Sequence, residues 1–151
     1  MALSREQAET LKTRPETPQG RRDGLLLCLL LVRESEVALL TVESFNLADG
    51  TVTFYRPKVD LEQTHKLTAD TLQALRRYCE AGDCPATGPL LRGSHKGGAL
   101  LDSPLTVSAI KQRVRALGRE VGLANLSPHD CRHYWATQWA GKVDVLRLGA
   151  P

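Results

Sequence analysis

Residues 129–133 read HDCRH, inside LSPHDCRHYWAT. Two histidines four positions apart with an acid after the first resemble a zinc hydrolase motif, in which the histidines hold the metal and a glutamate activates its water. The same letters also spell H-x-x-R, a pair suited to a phosphate. On a helix turning about 100° per residue, His129, Arg132 and His133 share one face while Asp130 and Cys131 turn away. A metal site fits this poorly. Asp130 is one methylene shorter than the glutamate that would reach the water, and Arg132 would set a permanent positive charge between the ligands. An anion fits better, because Arg132 offers planar bidentate donors, His129 offers one more, and backbone N–H groups at a helix start favour negative charge. Pairing of Arg132 with a neighbouring acid accounts for the isolated motif equally well. A metal-dependent hydrolase at His129 and His133 is the least favoured reading.

The elements that must carry these residues follow from pattern. Ser127-Pro128 reads as an N-cap and a first-turn proline for the helix bearing the motif. Before it, SAIKQRVRALGREVG is helical, with Ile110, Val114, Leu117 and Val121 on one face and Lys111, Arg113, Arg115 and Arg119 around the rest. LSREQAETLK opens with a capping box, Ser4 with Gln7. A buried helix is expected over residues 20–32 and another over 35–42. Asp49-Gly50 signals a hairpin, TVTFY after it a strand, and residues 64–67 a further strand. Helix returns over 69–79, and a Gly- and Pro-bearing loop with GSHKGG spans 81–104. The fold class is α+β, mainly helical with one small antiparallel sheet.

Composition bounds the function loosely. The 151 residues, 42% hydrophobic, suit one domain with a core, and the formal charge of +3 permits nucleic acid without demanding it. Cys28, Cys79, Cys84 and Cys131 form no C-x-x-C pair and follow no secretory signal, so reduced thiols and a cytoplasmic location are expected. The longest apolar run, LLLCLLLV, is far short of the roughly 20 residues that span a bilayer, so no membrane partner is expected.

Three segments in chain order give the site its company: Arg33 in RESEVALLTVESFNL, Lys58 in TVTFYRPKVDLEQTHKL, and His129 with Arg132 in SPHDCRHYWAT. Together they resemble the catalytic domain of the tyrosine recombinases, the phage integrase family. There an R-x-S/G-E helix start, a lysine on a β-hairpin and H-x-x-R-H at a later helix occur in this order. The resemblance covers roughly residues 4–148 and implies the catalytic-domain fold of DNA breaking-rejoining enzymes. It implies attack of a tyrosine on a DNA phosphodiester, giving a 3′-phosphotyrosyl link, with no metal or other cofactor. The partners it implies are double-stranded DNA and other recombinase protomers. Arg33 and Arg132 would clamp the phosphate, His129 would donate to it or assist proton transfer, and Lys58 would protonate the leaving 5′-oxygen. Glu36 and His133 would be supporting residues.

Plainer readings stand beside these. Arg33 also reads as a surface arginine, Lys58 as a solvated loop lysine, and Trp135 and Trp139 as core or interface aromatics. The chain departs from the family pattern in two places. LLLCLLLVR lacks the Gly-Leu turn before the first arginine, which would misplace the clamp. VLRLGAP ends the sequence before a nucleophile segment. The sequence therefore reads as a single catalytic domain over 1–151 without an N-terminal DNA-binding domain or a nucleophile, inactive as given, or as a noncatalytic DNA-binding or interaction remnant. Tyr134, the nearest tyrosine, falls about 140° from His129 and about 160° from Arg132 around the helix.

Overall fold

The computed structural model describes residues 3–30, 34–56, 60–95 and 98–139; of residues 34, 35, 54–56, 138 and 139 it describes the backbone path alone. Helix α1 (Arg5–Lys12) begins at the expected capping box. Ser4 Oγ accepts the Gln7 N–H at 3.1 Å and Gln7 Oε1 accepts the Ser4 N–H at 2.9 Å, satisfying two donors that a helix start otherwise leaves open. Ala8 and Leu11 turn inward.

Helix α2 (Pro18–Leu29) starts earlier and ends sooner than the apolar run suggests. Thr17 Oγ1 caps the Gly20 N–H at 2.9 Å and Pro18 occupies the first turn, where its missing N–H costs nothing. Leu25, Leu26, Leu27, Leu29 and Leu30 are fully buried, each contributing about 1.5–3 kcal/mol of apolar burial. The helix expected over 35–42 is shorter, α3 (Glu34–Ala38). The N–H groups of Leu39 and Leu40 reach back only three residues, to Glu36 and Val37, and Thr41 instead bridges to Pro89. A 3₁₀ turn, Val42–Ser44, follows.

The Asp49-Gly50 signal does mark a turn. Strands β1 (Phe45–Asn46), β2 (Thr51–Arg56) and β3 (Leu61–Lys66) form an antiparallel sheet in that order, with Thr51 opposite Lys66 and Arg56 opposite Leu61. Asn46 side-chain bonds to Asp49, at 2.9 and 3.0 Å, and Gly50 at φ 68° close the reversal. Lys58 falls in sequence between β2 and β3, outside the described residues. Helix α4 (Ala69–Glu80) packs on α2 and buries Leu75 and Tyr78.

The segment expected to be a loop over 81–104 contains a second hairpin, β4 (Arg92–Ser94) and β5 (Leu100–Pro104). Its strands, RGS and LLDSP, have neither alternation nor β-branched residues. The pairing rests on tertiary bonds instead: Arg92 donates to the carbonyls of Leu101 at 2.7 Å and Asp83 at 3.1 Å. Helix α5 (Val107–Glu120) follows, with Ile110, Val114 and Leu117 buried as its period predicts, and α6 (Pro128–Trp139) closes the described chain. At Gly118 of α5 an added Cβ would lie 2.5 Å from Leu126 Cβ and 2.9 Å from the Leu123 carbonyl, so α5 meets the segment leading to α6 at bare backbone.

One buried polar assembly joins these layers. Arg22 and Asp23 of α2 are 0% and 1% exposed. Asp23 Oδ1 accepts from Arg22 Nη2 at 2.7 Å, and Oδ2 accepts from Arg113 of α5, at 2.9 Å from Nε and 2.8 Å from Nη2. Arg22 Nη1 goes on to the Arg92 carbonyl and Ser94 Oγ, both at 3.0 Å. Helix α2, the second hairpin and α5 are thus pinned at one carboxylate.

Candidate functional site

Helix α6 carries the residues singled out first. Ser127 caps it, its Oγ accepting the Asp130 N–H at 3.2 Å, while Asp130 Oδ2 accepts from the Ser127 N–H at 3.0 Å and the Ser127 hydroxyl at 2.9 Å. Asp130 is therefore the third-residue partner of a capping box. Its short side chain, unfavourable for reaching a metal-bound water, suits this reach back to Ser127. S-P-H-D already held this signal, which the resemblance of HDCRH to a zinc motif masks.

The box also revises the expected backbone share of anion binding. Pro128 has no N–H, and the Ser127 and Asp130 N–H groups are engaged by the box. Side chains must carry most of the interaction with an anion. His129 and His133 are exposed and Arg132 is half-buried between them, whereas Cys131 and Trp135 are buried on the other side. Burial, followed by the charge of Asp130, pushes the Cys131 thiol up to about 12, so this thiol is protonated and inert at neutral pH. Among the described residues no group of three His, Cys, Asp or Glu side chains converges as metal ligands would.

Helix α5 supports both sides of the region, since it packs against α3, which carries Glu36, and against α6. Glu36 is half-buried; Glu36, Asp130 and Arg132 each interact with a neighbouring group. Arg33, together with the expected loss of a turn before it, and Lys58 lie outside the described residues. The structure therefore places His129, Arg132 and His133 on one helix and Glu36 on a helix sharing its support.

The tyrosines are placed differently. Tyr78 is fully buried and its hydroxyl donates to the Leu90 carbonyl at 2.9 Å; burial pushes it up to about 12. Tyr134 is half-buried, its ring edge-on to Trp135 at 5.1 Å between centroids and 79° between planes. Trp135 is a core aromatic, as expected, and Lys12 of α1 sits 5.0 Å over its ring.

The model of the phage integrase family matches residues 2–145. The chain belongs to the phage integrase family. This integrase-family fold is also found in XerA recombinase, at 21% identity and a TM-score of 0.67 over 93% of this chain and 50% of that one. The integrase from mycobacterium phage Brujita matches at 17% identity and 0.66 over 91% of this chain and 43% of that one. The Tn1549 transposon integrase in complex with a circular intermediate DNA matches at 15% and 0.69, over 95% and 55%. The integrase-family chain thus spans about half the length of these solved structures. No curated protein matches it. The mainly helical architecture with small antiparallel sheets is the expected fold class, with a second hairpin added. No helix among the described residues is long and apolar enough to cross a membrane.

Proposed function

We propose that the chain is the catalytic domain of a site-specific tyrosine recombinase and binds double-stranded DNA through a backbone phosphate. The observation that carries this reading is the start of α6, where Arg132 lies between two exposed histidines while the neighbouring acid is spent on the cap. A cation is disfavoured beside a permanent guanidinium, whereas a phosphate gains bidentate donors. Membership of the integrase family supports the same chemistry, and the Tn1549 integrase has been captured with transposon right end DNA.

In this proposal Arg33 and Arg132 grip the nonbridging oxygens, whose charge grows as the phosphorus is attacked, and His129 donates a third bond. Lys58, which falls in sequence between β2 and β3, gives a proton to the departing 5′-oxygen. Glu36 orients the arginine side of the grip, and His133 supports the motif helix. The proposed chemistry draws on protein donors alone and calls on no metal. Other recombinase protomers are the proposed protein partners.

Neither Tyr78 nor Tyr134 suits the nucleophile's part, because one hydroxyl is tied to Leu90 inside the core and the other ring packs on Trp135.

The test is a salt titration of duplex binding by fluorescence anisotropy. Each phosphate neutralised adds about −0.9 to the slope of log K against log salt, so a few contacts give a slope of a few units. Arg132→Ala should weaken binding and flatten the slope by about one unit. Binding indifferent to salt, or unchanged in an Arg132→Ala, His129→Ala double variant, would overturn the proposal. So would a stoichiometric, submicromolar zinc site that disappears in His133→Ala.

A further inference from the structure

Helices α1, α2 and α4 enclose a cavity of about 350 Å³. Among the described residues that line it, none belongs to α5 or to the motif helix α6. One face of α2 contributes Gly20, Gly24 and Cys28, four residues apart, whose small side chains leave the space open. A Cβ added at Gly24 would meet a single atom within 4 Å, Arg14 Cγ at 3.7 Å.

The rim is cationic. Arg21 of α2 and Arg77 of α4 converge on the Glu16 carboxylate, with Oε2 at 3.7 Å from Arg21 Nη1 and Oε1 at 3.7 Å from Arg77 Nη1. Arg21 is fixed in place, because its Nε donates to Asp83 Oδ2 at 2.6 Å. Glu16 is held loosely: its side chain is 66% exposed, and 3.7 Å is beyond hydrogen-bonding distance. A carboxylate of the chain thus stands where an external anion could be gripped. A phosphate monoester is the better occupant, since it brings three acceptor oxygens and a charge of about −1.5 to −2 at neutral pH to donors whose planar fork matches it. Elsewhere the lining offers Glu9, Asp70 and Gln73, groups that pair with hydroxyls, whereas among the described residues no aromatic ring lines the cavity to stack on a base.

We infer that this cavity binds a small sugar phosphate, whose phosphate displaces Glu16 from between Arg21 and Arg77 and whose hydroxyls bond the carboxylate and amide groups of α1 and α4. Glu16 is then an internal competitor that the ligand must expel. The volume suits one such molecule, being at the lower end of the roughly 300–1,000 Å³ of small-molecule sites.

The experiment titrates the full 151-residue protein, labelled with ¹⁵N, with glucose 6-phosphate, inorganic phosphate and adenosine 5′-monophosphate, following the Gly20 and Gly24 amide resonances. Glucose 6-phosphate should shift both saturably, with an affinity about tenfold above that of inorganic phosphate, because its hydroxyls add hydrogen bonds. Glu16→Gln removes the competitor's charge and should tighten binding about two- to fivefold. Arg77→Ala should weaken it about tenfold. Gly24→Leu fills the cavity with a residue that suits a helix interior, and should abolish the Gly20 shift while leaving the urea unfolding midpoint no lower. The shifts should persist in Arg132→Ala, which separates this site from the one on α6. Glycine resonances that do not move, a Gly20 shift that survives in Gly24→Leu, or weaker binding in Glu16→Gln overturns the inference. So does inorganic phosphate or adenosine 5′-monophosphate binding as tightly as the sugar phosphate, or loss of the shifts in Arg132→Ala.

Discussion

Removing the Asp23 carboxylate should be among the most damaging single changes the domain can suffer. Both of its oxygens are engaged, by Arg22 within α2 and by Arg113 across the interface with α5. In Asp23→Ala the Arg22 guanidinium stays at 0% exposure with only the neutral Arg92 carbonyl and Ser94 hydroxyl to meet it. Breaking a buried pair by deleting one partner costs about 3–5 kcal/mol. Arg113, 26% exposed, can turn to water and should add little. Against a domain stability of roughly 5–15 kcal/mol, the loss of about 3–5 kcal/mol is about a fifth of the total or more. Urea unfolding followed by tryptophan fluorescence measures it directly. The same reasoning says that an Arg22→Met, Asp23→Leu double variant recovers most of the loss, because no buried charge remains unpaired. A loss below about 1 kcal/mol in Asp23→Ala, or a double variant no better than the single one, would refute the argument.

Three further outcomes follow from the same structure. Asp130→Ala should cost about 1 kcal/mol through loss of the cap, with unchanged zinc affinity; a measured change in zinc binding would mean the carboxylate faces a metal after all. The Cys131 thiol, raised from 9.0 to about 12 in the fold, holds its proton where the unfolded chain has lost it. Its stabilising share is therefore complete below pH 9 and is lost as pH rises from 9 towards about 12, and Cys131→Ala should flatten that alkaline decline in a series of denaturation curves. Incubation with a suicide DNA substrate should give no covalent adduct at Tyr78 or Tyr134, and peptide mapping that finds DNA on Tyr134 would show that its ring leaves Trp135 to reach a phosphate.

What was legible in the sequence was local. Ser4 with Gln7, Asp49-Gly50, and the apolar face of α5 are fixed by neighbours three or four residues away, so pattern suffices to find them. The second hairpin was not legible, because RGS and LLDSP pair through Arg92 and its distant carbonyl partners rather than through strand propensity. Nor was the burial of Arg22 and Asp23, since Arg113, which completes the assembly, is 90 residues along the chain. At the site, the helical period placed His129, Arg132 and His133 on one helix, but the role of Asp130 was obscured by reading it as chemistry rather than as a cap.

The bare backbone at Gly118 bears on how the domain can be altered. Helix propensity alone recommends alanine there, a change that usually stabilises a helix interior by about 0.5–1 kcal/mol. With Leu126 Cβ at 2.5 Å, the added methyl would instead wedge the end of α5 away from the segment that delivers α6. A conventional stabilising swap thus becomes a lever on the segment that leads into the motif helix. Sequence variation in the loop between Gly122 and Leu126 has to preserve that contact, which ties the evolutionary freedom of the motif helix to a position with no side chain.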